Sequence, residues 1–262
     1  MAFDRQQLES LLGTHNHAPL QLCLHIFETL TSTNQKLWEL IDGGAAPGTI
    51  AIAARQTSGR GQWGRQWHSP GGGLYLSLAI APNLPASNSA QLTLCMAWGI
   101  ATALRDRGIP VLLKWPNDLL LLGRKLGGIL TETRIHQGQI TKAIVGVGIN
   151  WNNPVPETGI NLQSFFKHQQ TPPITCLEML AAITIQGILS GYQHCSPSGI
   201  EIVLPSYLEL LSSRGRTIVV DGCPGVVVGV SPTGDLRVRV QSLAAKSEIC
   251  LKPGTISLGY DR

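Results

Sequence analysis

A glycine- and arginine-rich stretch, Gln56–Ser77, places the strongest constraint on how this chain can fold. It reads QTSGRGQWGRQWHSPGGGLYLS, with six glycines and with Arg60 and Arg65 set among them. Because glycine lacks a Cβ atom, its backbone reaches positive φ angles and its N–H group can approach a ligand closely. Arginine adds fork-shaped, charge-assisted donors that suit a phosphate or a carboxylate. The stretch therefore predicts an anion-binding loop that becomes ordered around its ligand.

The same stretch joins two apolar segments that are typical of β-strands. Thr49–Ala54 precedes it, and Leu74–Ile80 follows it with large aliphatic side chains on alternate positions. The alternative is a flexible, solvated turn, which is the usual structure of a Gly/Arg run. Trp63 and Trp67 argue against that alternative, because two large rings in a solvated loop would cover nothing.

The composition indicates a folded protein without a strong charge bias. The 262 residues are 43% hydrophobic and 14% charged, which suits one sizeable globular domain and a small one. A net charge of +4 permits anionic partners but does not indicate nucleic acid. Six scattered cysteines form no Cys-x-x-Cys pair, so neither structural zinc nor disulfides are expected. The first ten residues have acidic and polar side chains where a signal peptide needs an apolar run, and no apolar run reaches membrane length, so we expect a cytoplasmic protein.

A second polar motif follows a short apolar segment. Val111–Leu113 leads directly into Lys114, and a Pro-Asn-Asp turn containing Asn117 comes next. A lysine at the end of a buried strand places one cation at the mouth of a cleft. There, as a compact point charge, it can offset the repulsion between two anions. The alternatives are a surface lysine and a turn that only reverses the chain.

The two motifs together resemble those of the biotin–protein ligases. The signature loop of that family has the form GRGRxGRxWxSPxGGLYLS, which the Gly/Arg stretch matches at nearly every position, and KWPND at 114–118 is a second family motif. The resemblance implies activation of biotin with ATP to biotinyl-5′-AMP and transfer to a lysine of a biotin carboxyl carrier protein, as in acetyl-CoA carboxylase. It implies ATP, biotin and Mg²⁺ as cofactors. The Mg²⁺ is expected on the nucleotide phosphates, without a cage of protein ligands.

Further segments match the biotin-binding positions of the family. Ser32 with Gln35 three residues later has the pattern of a helix-capping box, which alone accounts for both residues. By resemblance, Ser32, Thr33 and Asn34 lie against the ureido head of biotin, and the Gly127–Gly128 pair lets the backbone approach it. The residues assigned to biotin in this way are Ser32, Thr33, Asn34, Gln56, Arg60, Gly61, Gln62, Lys114, Gly127 and Gly128.

The resemblance also assigns the nucleotide site. It makes Lys114 and Arg60 catalytic, because attack of a carboxylate on an α-phosphate needs positioning and fixed positive charge. Lys125 matches the second lysine of the family, with a solvated hairpin lysine as the alternative, and Val145–Asn150 matches the strand near the nucleotide. Gln62 departs from the pattern, since the family usually has an arginine there. The residues assigned to ATP or the adenylate are Arg60, Arg65, Trp67, Asn117, Lys125 and Asn150.

The predicted elements and the resemblance indicate an α+β fold, with a mixed central sheet flanked by helices and a small C-terminal SH3-like β-barrel. Helices are expected at Asp4–Leu12, Cys176–Tyr192 and Ile200–Leu211, the last interrupted by a proline, and the region between Asn152 and Pro173 is expected to be a loop. We set the catalytic domain at residues 1–212 and the barrel at 213–262.

The segment before the first predicted strand carries two further expectations. It is too short for the DNA-binding domain that some family members have, so we expect a monofunctional ligase, monomeric or homodimeric, with no DNA or membrane partner. His15 and His17 are expected to be solvated loop residues rather than metal ligands.

Two other classes of protein share parts of this pattern. Lipoate–protein ligases have the same catalytic fold and adenylate chemistry, but they lack the KWPND string together with the full Gly/Arg loop. A nucleic-acid-binding module could also combine a Gly/Arg loop with an SH3-like barrel, although positive charge is sparse here. Both stay open as alternatives at the level of the sequence.

Overall fold

The structure is a computed structural model that describes residues 3–13, 20–241, 246–256 and 258–259. His15 and His17 lie outside the described residues. The described helices and strands, in chain order, are α1 (Arg5–Leu12), β1 (Cys23–Leu30), α2 (Thr33–Asp42), β2 (Thr49–Gln56), β3 (Leu74–Ile80), β4 (Leu84–Pro85), α3 (Ser89–Arg105), β5 (Leu112–Lys114), β6 (Asp118–Leu121), β7 (Arg124–His136), β8 (Gln139–Ile149), α4 (Leu162–Phe166), α5 (Leu177–Gln193), α6 (Pro197–Leu210), β9 (Thr217–Val220), β10 (Cys223–Val230), β11 (Leu236–Gln241) and β12 (Lys246–Leu251).

The fold is α+β, as predicted, and its main element is a mixed eight-stranded sheet. The strand order is β1-β2-β3-β8-β7-β6-β5, with the short β4 paired to β8. Strands β1 and β2 run parallel, and the remaining pairs are antiparallel. This order brings β3 and the long β7–β8 hairpin together at the centre, although many residues separate them in sequence.

Helices cover both faces of this sheet. On one face, Leu37 and Ile41 of α2 pack against the small side chains of β2 and β3. On the other face, α1, α3 and α5 share a continuous core with Ile50, Ile52 and Leu76. Strand β3 is buried along its whole length, and so are the first five residues of β2, which explains why both segments are almost entirely apolar.

A second, four-stranded antiparallel sheet lies towards the C-terminus, in the order β12-β11-β10-β9. Its buried side chains, including Val227 and Leu236, join the main core. Trp115 Nε1 donates a hydrogen bond to Gly234 O at 2.9 Å, which fastens this sheet to the turn after β5. The sheet occupies the segment predicted to form an SH3-like barrel. Barrel closure and the domain boundary at Ser213 stay predictions.

Two local predictions were wrong. Helix α6 begins at Pro197 and continues through Pro205 to Leu210, whereas an interruption at the proline was predicted. The proline-rich region predicted to be a loop contains α4, which begins after Asn161, whose Oδ1 accepts a hydrogen bond from Ser164 N at 2.8 Å. No described helix combines the length and apolar character needed to cross a membrane.

Candidate functional site

One cavity brings together most of the residues predicted to form the site. This main cavity measures about 760 Å³ with its solvent-open mouth. Its walls come from the start of α2, the end of β2, the Gly/Arg loop, the turn before β6, and strands β7 and β8. Of all the predicted site residues, only Lys114, Gly127 and Asn150 do not line it.

Gln56 holds the start of α2 against the Gly/Arg loop. Ser32 is the N-cap residue of α2, but its side chain makes no capping hydrogen bond, so the predicted capping box is wrong. Instead, Gln56 Oε1 accepts hydrogen bonds from Thr33 N at 2.8 Å and Thr33 Oγ1 at 3.2 Å. Gln56 Nε2 donates to Ser69 Oγ at 2.8 Å, near the far end of the loop. One side chain therefore satisfies a helix terminus and fixes the loop.

A buried hydroxyl of β3 orients the polar side chains at the start of α2. Ser77 is fully buried, and its Oγ donates to Asn34 Oδ1 at 2.6 Å and lies 2.7 Å from Thr33 Oγ1. Asn34 Nδ2 donates to Leu130 O at 3.4 Å. We call Thr33, Asn34, Gln56 and Ser77 the polar floor of the cavity. Ser77 was not among the predicted site residues, and its one signal in the sequence is that it is a serine within an otherwise apolar strand segment.

Two glycines of β8 make room for side chains of the site. A Cβ atom at Gly146 would collide with the Asn34 carboxamide, and one at Gly148 would collide with the indole of Trp67. Any side chain at these positions would therefore displace the polar floor or the loop. In the sequence, this Val-Gly-Val-Gly segment is a family match, and the signal for its role here is the two-residue spacing of the glycines, which places both on one face of the strand.

The two loop tryptophans make different contacts. Trp67 packs over Gly148, and Lys125 Nζ lies 5.2 Å from the centroid of its ring. Trp63 is 55% exposed, and its indole edge rests on Gly254 in the turn after β12, where an added Cβ would lie 2.7 Å from Trp63 Nε1. The loop therefore contacts both sheets of the molecule.

Two buried polar atoms at the main cavity have no hydrogen-bond partner among the described residues. They are Gln62 Oε1 and Trp67 Nε1. Buried polar atoms without a partner are uncommon in folded proteins, because burial removes their bonds to water. Both residues line the main cavity, so a bound ligand with polar groups would supply the missing partners.

A cluster of two lysines and one aspartate stands at the rim of the cavity. Asp118 Oδ1 lies 2.7 Å from Lys125 Nζ, and Asp118 Oδ2 lies 3.9 Å from Lys114 Nζ. Lys114 is only 8% exposed, and this burial lowers its pKa to about 8, against the opposing effect of the Asp118 carboxylate. The positive charges of Lys125 and Arg65 lower the pKa of Lys114 further.

Arg60 is anchored to β7 by an acidic residue that sequence analysis did not assign. Arg60 Nη2 lies 3.0 Å from Glu132 Oε1. Glu132 Oε2 in turn accepts a hydrogen bond from Trp38 Nε1 of α2 at 3.0 Å. This ion pair holds the guanidinium over the main cavity while its side chain stays half exposed. We call Arg60, Lys114, Asp118 and Lys125 the charged rim.

Gly127 and Asn150 lie away from the main cavity. Gly127 is packed inside the sheet against Gly148 O. Asn150 Nδ2 donates to Ile160 O at 3.2 Å and Lys125 O at 3.3 Å, and its Oδ1 accepts from Asn153 Nδ2 at 2.9 Å. Both polar atoms of Asn150 are used inside the protein, so this side chain supports the chain around Lys125 rather than facing the cavity.

Lys114 lines two neighbouring cavities instead of the main one. The middle cavity, about 700 Å³, contains Lys114 and shares Trp63, Arg65, Asn117 and Asp118 with the main cavity. The outer cavity, about 1020 Å³, also contains Lys114. Both volumes include open solvent at the cavity mouths. Lys114 therefore stands where the middle and outer cavities meet.

Comparison with known proteins defines the class to which this site belongs. Residues 26–150, which hold the polar floor, the Gly/Arg loop and the charged rim, match the model of the Biotin/lipoate A/B protein ligase family. This segment is just under half of the chain, and it is similar to domains of that family.

Curated relatives match from about half to about four fifths of the chain. The bifunctional ligase/repressor BirA of Bacillus subtilis is 39% identical over 127 residues, which are 48% of this chain and 39% of that protein. The BirA of Salmonella typhimurium is 32% identical over 209 residues, which are 79% of this chain and 63% of that protein. The match thus spans about two to three fifths of the length of these curated relatives.

Solved structures resemble a larger share of the chain. The biotin protein ligase from Aquifex aeolicus in complex with biotin and ATP has a TM-score of 0.67 and 28% identity, covering 86% of this chain and 94% of that one. A mutant of the same ligase in complex with biotin has a TM-score of 0.69 and 27% identity, covering 87% of this chain and 95% of that one. These similarities confirm the predicted fold class.

Proposed function

We propose that this protein is a biotin–protein ligase. It activates biotin with ATP to give biotinyl-5′-AMP and pyrophosphate, and it then transfers the biotinyl group to a lysine of a biotin carboxyl carrier protein. The observation that carries the proposal is the main cavity, because polar residues of the floor and the rim residues Arg60, Asp118 and Lys125 line it together, with Lys114 in the adjoining middle cavity. Similarity to ligases named for biotin supports the choice of substrate.

The polar floor suits the ureido ring of biotin, which presents one carbonyl acceptor and two N–H donors. Thr33 of the floor and the neighbouring Ser32 supply hydroxyl groups, and Asn34 supplies a carboxamide whose orientation Ser77 fixes. Hydrogen bonds from a pre-ordered site cost little side-chain entropy on binding. Ile129, Leu130 and Val147 give the cavity the apolar surface that the fused rings and the alkyl chain need.

The charged rim suits the first chemical step. A carboxylate oxygen of biotin attacks the α-phosphorus of ATP, the bond from this phosphorus to its bridging oxygen breaks, and pyrophosphate leaves with the electron pair. Arg60 and Lys114 offset the charge on the two anions and stabilise the charge that moves between them. No protein nucleophile is needed. Arg65, Trp67, Asn117 and Lys125 are the further residues we place around the adenylate.

Mg²⁺ is proposed to reach the site on the nucleotide. Among the described residues, no group of three or more His, Cys, Asp or Glu side chains is arranged to hold a metal ion. The phosphate oxygens of ATP provide the hard ligands that Mg²⁺ prefers. When bound, the ion neutralises the triphosphate, and the cations of the rim supply the fixed charge from the protein.

The second step transfers the acyl group to an amine. The lysine nitrogen of the carrier attacks the biotinyl carbonyl carbon, an amide forms, and AMP leaves. Because the mixed anhydride hydrolyses readily, Trp63 and Trp67 are proposed to shield it from water. A biotin–[acetyl-CoA-carboxylase] ligase of Paracoccus denitrificans, 34% identical over 122 residues, supports the carrier subunit of that carboxylase as the acceptor. We propose a monomer or homodimer, with the C-terminal sheet forming a separate domain from residue 213.

Mass spectrometry of an acceptor domain tests the proposal directly. A purified carrier domain is incubated with this protein, ATP, Mg²⁺ and biotin, and a parallel reaction contains lipoate. We expect one biotinyl group per carrier domain, with no product when ATP is omitted. Modification by lipoate alone would assign the protein to the lipoate ligases. Salt-dependent DNA binding without biotin-dependent use of ATP would instead favour a nucleic-acid-binding module.

A further inference from the structure

The main, middle and outer cavities form a continuous row. Four residues are common to the main and middle cavities, and Lys114, Ile256 and Leu258 are common to the middle and outer cavities. We propose that the outer cavity is the binding site for the pyrophosphate half of ATP, with Ser213 and Arg216 as its ligands and Lys114 at its entrance. This inference rests on the proposed function and assigns residues beyond the Gly/Arg loop and the KWPND motif.

The charge of the outer cavity fits a polyanion. Lys114 and Arg216 line it, and none of its described lining residues is acidic. Arg216 presents a planar guanidinium that can bind two phosphate oxygens at once, whereas Lys114 supplies a point charge. Leu120 and Ile218 add apolar surface, which lowers the local dielectric and strengthens these interactions.

Ser213 provides an independent indication of a ligand. It is only 4% exposed and lines the outer cavity, and its Oγ is buried without a hydrogen-bond partner among the described residues. Burying an unsatisfied hydroxyl is unfavourable, so such a group calls for an explanation. A phosphate oxygen in the outer cavity would accept the hydrogen bond that Ser213 does not make within the protein.

Backbone hydrogen bonds hold the Ser213–Arg216 turn beside Lys114. Ser212 N donates to Leu113 O at 2.8 Å, directly before Lys114 in β5. Gly215 N donates to Val227 O at 2.8 Å, and Val227 N donates to Arg216 O at 3.0 Å, which tie the turn to β10. The proposed ligands therefore stand on a backbone fixed to both sheets, as a pre-ordered binding site requires.

The direction of the reaction agrees with this placement. In an in-line displacement, the leaving group departs on the side of the α-phosphorus opposite to the attacking oxygen. With biotin on the polar floor, its carboxylate reaches the α-phosphate from the main cavity, next to Asp118 and Lys114. Pyrophosphate then leaves towards the outer cavity, carrying the bridging oxygen and the electron pair of the broken bond.

Biotin-dependent exchange of radiolabelled pyrophosphate into ATP tests the site. For Arg216→Ala we expect the KM values for pyrophosphate and for ATP to rise about tenfold, as for a lost charge-assisted hydrogen bond. For Ser213→Ala we expect a rise of about threefold, and Arg216→Lys should recover part of the affinity. The KM for biotin and the inhibition constant of AMP should not change, since neither ligand carries the β- and γ-phosphates.

Arg214→Ala is the matched control, because it removes an exposed arginine from the same turn that does not line the outer cavity. If the wild-type protein catalyses no exchange, the proposed function itself fails. If the wild-type protein catalyses exchange but Arg216→Ala and Ser213→Ala keep the pyrophosphate KM of Arg214→Ala, the pyrophosphate site is wrong. An equal rise in the inhibition constant of AMP would also overturn the proposal, because the substitution would then disturb the whole nucleotide site rather than its pyrophosphate half. Should Arg216→Ala not fold, Arg216→Lys and Ser213→Ala decide by the same criteria.

Discussion

The polar floor and the charged rim are two parts of one site that are built in opposite ways. Floor residues such as Asn34 and Ser77 are buried, and they bind one another on regular helices and strands. Rim residue Arg60 lies half exposed on a loop and is held by a single ion pair. We propose that the two parts act differently. The floor is ordered before biotin binds and selects it, whereas the rim adjusts its position to the phosphates of ATP. If the two parts act separately, substitutions in the rim should change adenylation and substitutions in the floor should change biotin affinity.

The largest expected effect is at Lys114. Lys114→Ala removes the buried cation between two anions, so we expect adenylate formation to fall by about a thousandfold. Biotin affinity should change little, because the polar floor is intact. Pyrophosphate release under single-turnover conditions measures the first quantity, and calorimetry measures the second. A parallel loss of biotin affinity would show that floor and rim are not separate in function.

Arg60→Ala is expected to lower adenylate formation by about a hundredfold, since a partly exposed arginine contributes less than a buried lysine. The same pyrophosphate assay measures it. Arg55→Ala serves as the control, because Arg55 is an exposed arginine paired to Glu28 at 3.3 Å, just before the loop. Near-normal turnover of Arg60→Ala would show that Arg60 does not contribute to adenylate formation.

The pH profile of adenylation should report the buried lysine. Burial lowers the pKa of Lys114 to about 8, so its cation is present below that pH and is lost as the pH rises through it. We expect a constant rate between about pH 6.5 and 7.5 and a decline of about tenfold for each unit above pH 8. Lys114→Arg stays charged throughout this range. Any activity it retains should not decline, and an identical decline in that variant would assign the titration to another group.

Ser77→Ala is expected to act on the floor alone. It removes the donor that orients Asn34, so biotin affinity should fall about fivefold and the free energy of unfolding by about 1 kcal/mol. The rate of adenylation at saturating biotin should stay near that of the wild type. Calorimetry, denaturant unfolding and single-turnover rates measure the three quantities. Ser87→Ala, at an exposed serine outside the main cavity, is the control.

The smallest effect is expected for Gln62→Arg, which restores the charge that the family usually has in this loop. Added positive charge beside the phosphate should slow the release of biotinyl-5′-AMP by about threefold. Release is measured by trapping the free adenylate after gel filtration of the complex. Faster release from the arginine variant would mean that the half-buried Gln62 side chain fits the adenylate better than a cation does.

The sequence predicted those parts of the molecule that depend on local patterns. Strand β3 has the predicted bounds, Leu74–Ile80, because its alternation and flanking turns are unambiguous. The family match of the loop and of the Ser-Thr-Asn segment pointed to residues that the structure brings together around the main cavity. Their individual roles in binding and catalysis stay predictions.

Features that depend on distant pairing were not predicted. The prediction of a capping box was wrong because Gln56, at the end of β2, accepts the hydrogen bond from the N-terminus of α2 in place of Ser32. Ser77, Glu132 and the β8 glycines acquire their roles only because β3, β8 and β7 are neighbours in the sheet. In the same way, nothing near Ser213 in the sequence indicates that its turn lies beside Lys114.

The contact between Trp63 and Gly254 has a consequence for engineering. Trp63 of the Gly/Arg loop packs against Gly254, in the turn after β12, where there is no room for a side chain. Gly254 also has a φ of 94°, which favours glycine. Exchanging C-terminal segments among relatives is therefore not a modular operation. A C-terminal segment from a relative with a side chain at position 254 would displace Trp63 and the Gly/Arg loop, even if that segment folded correctly by itself.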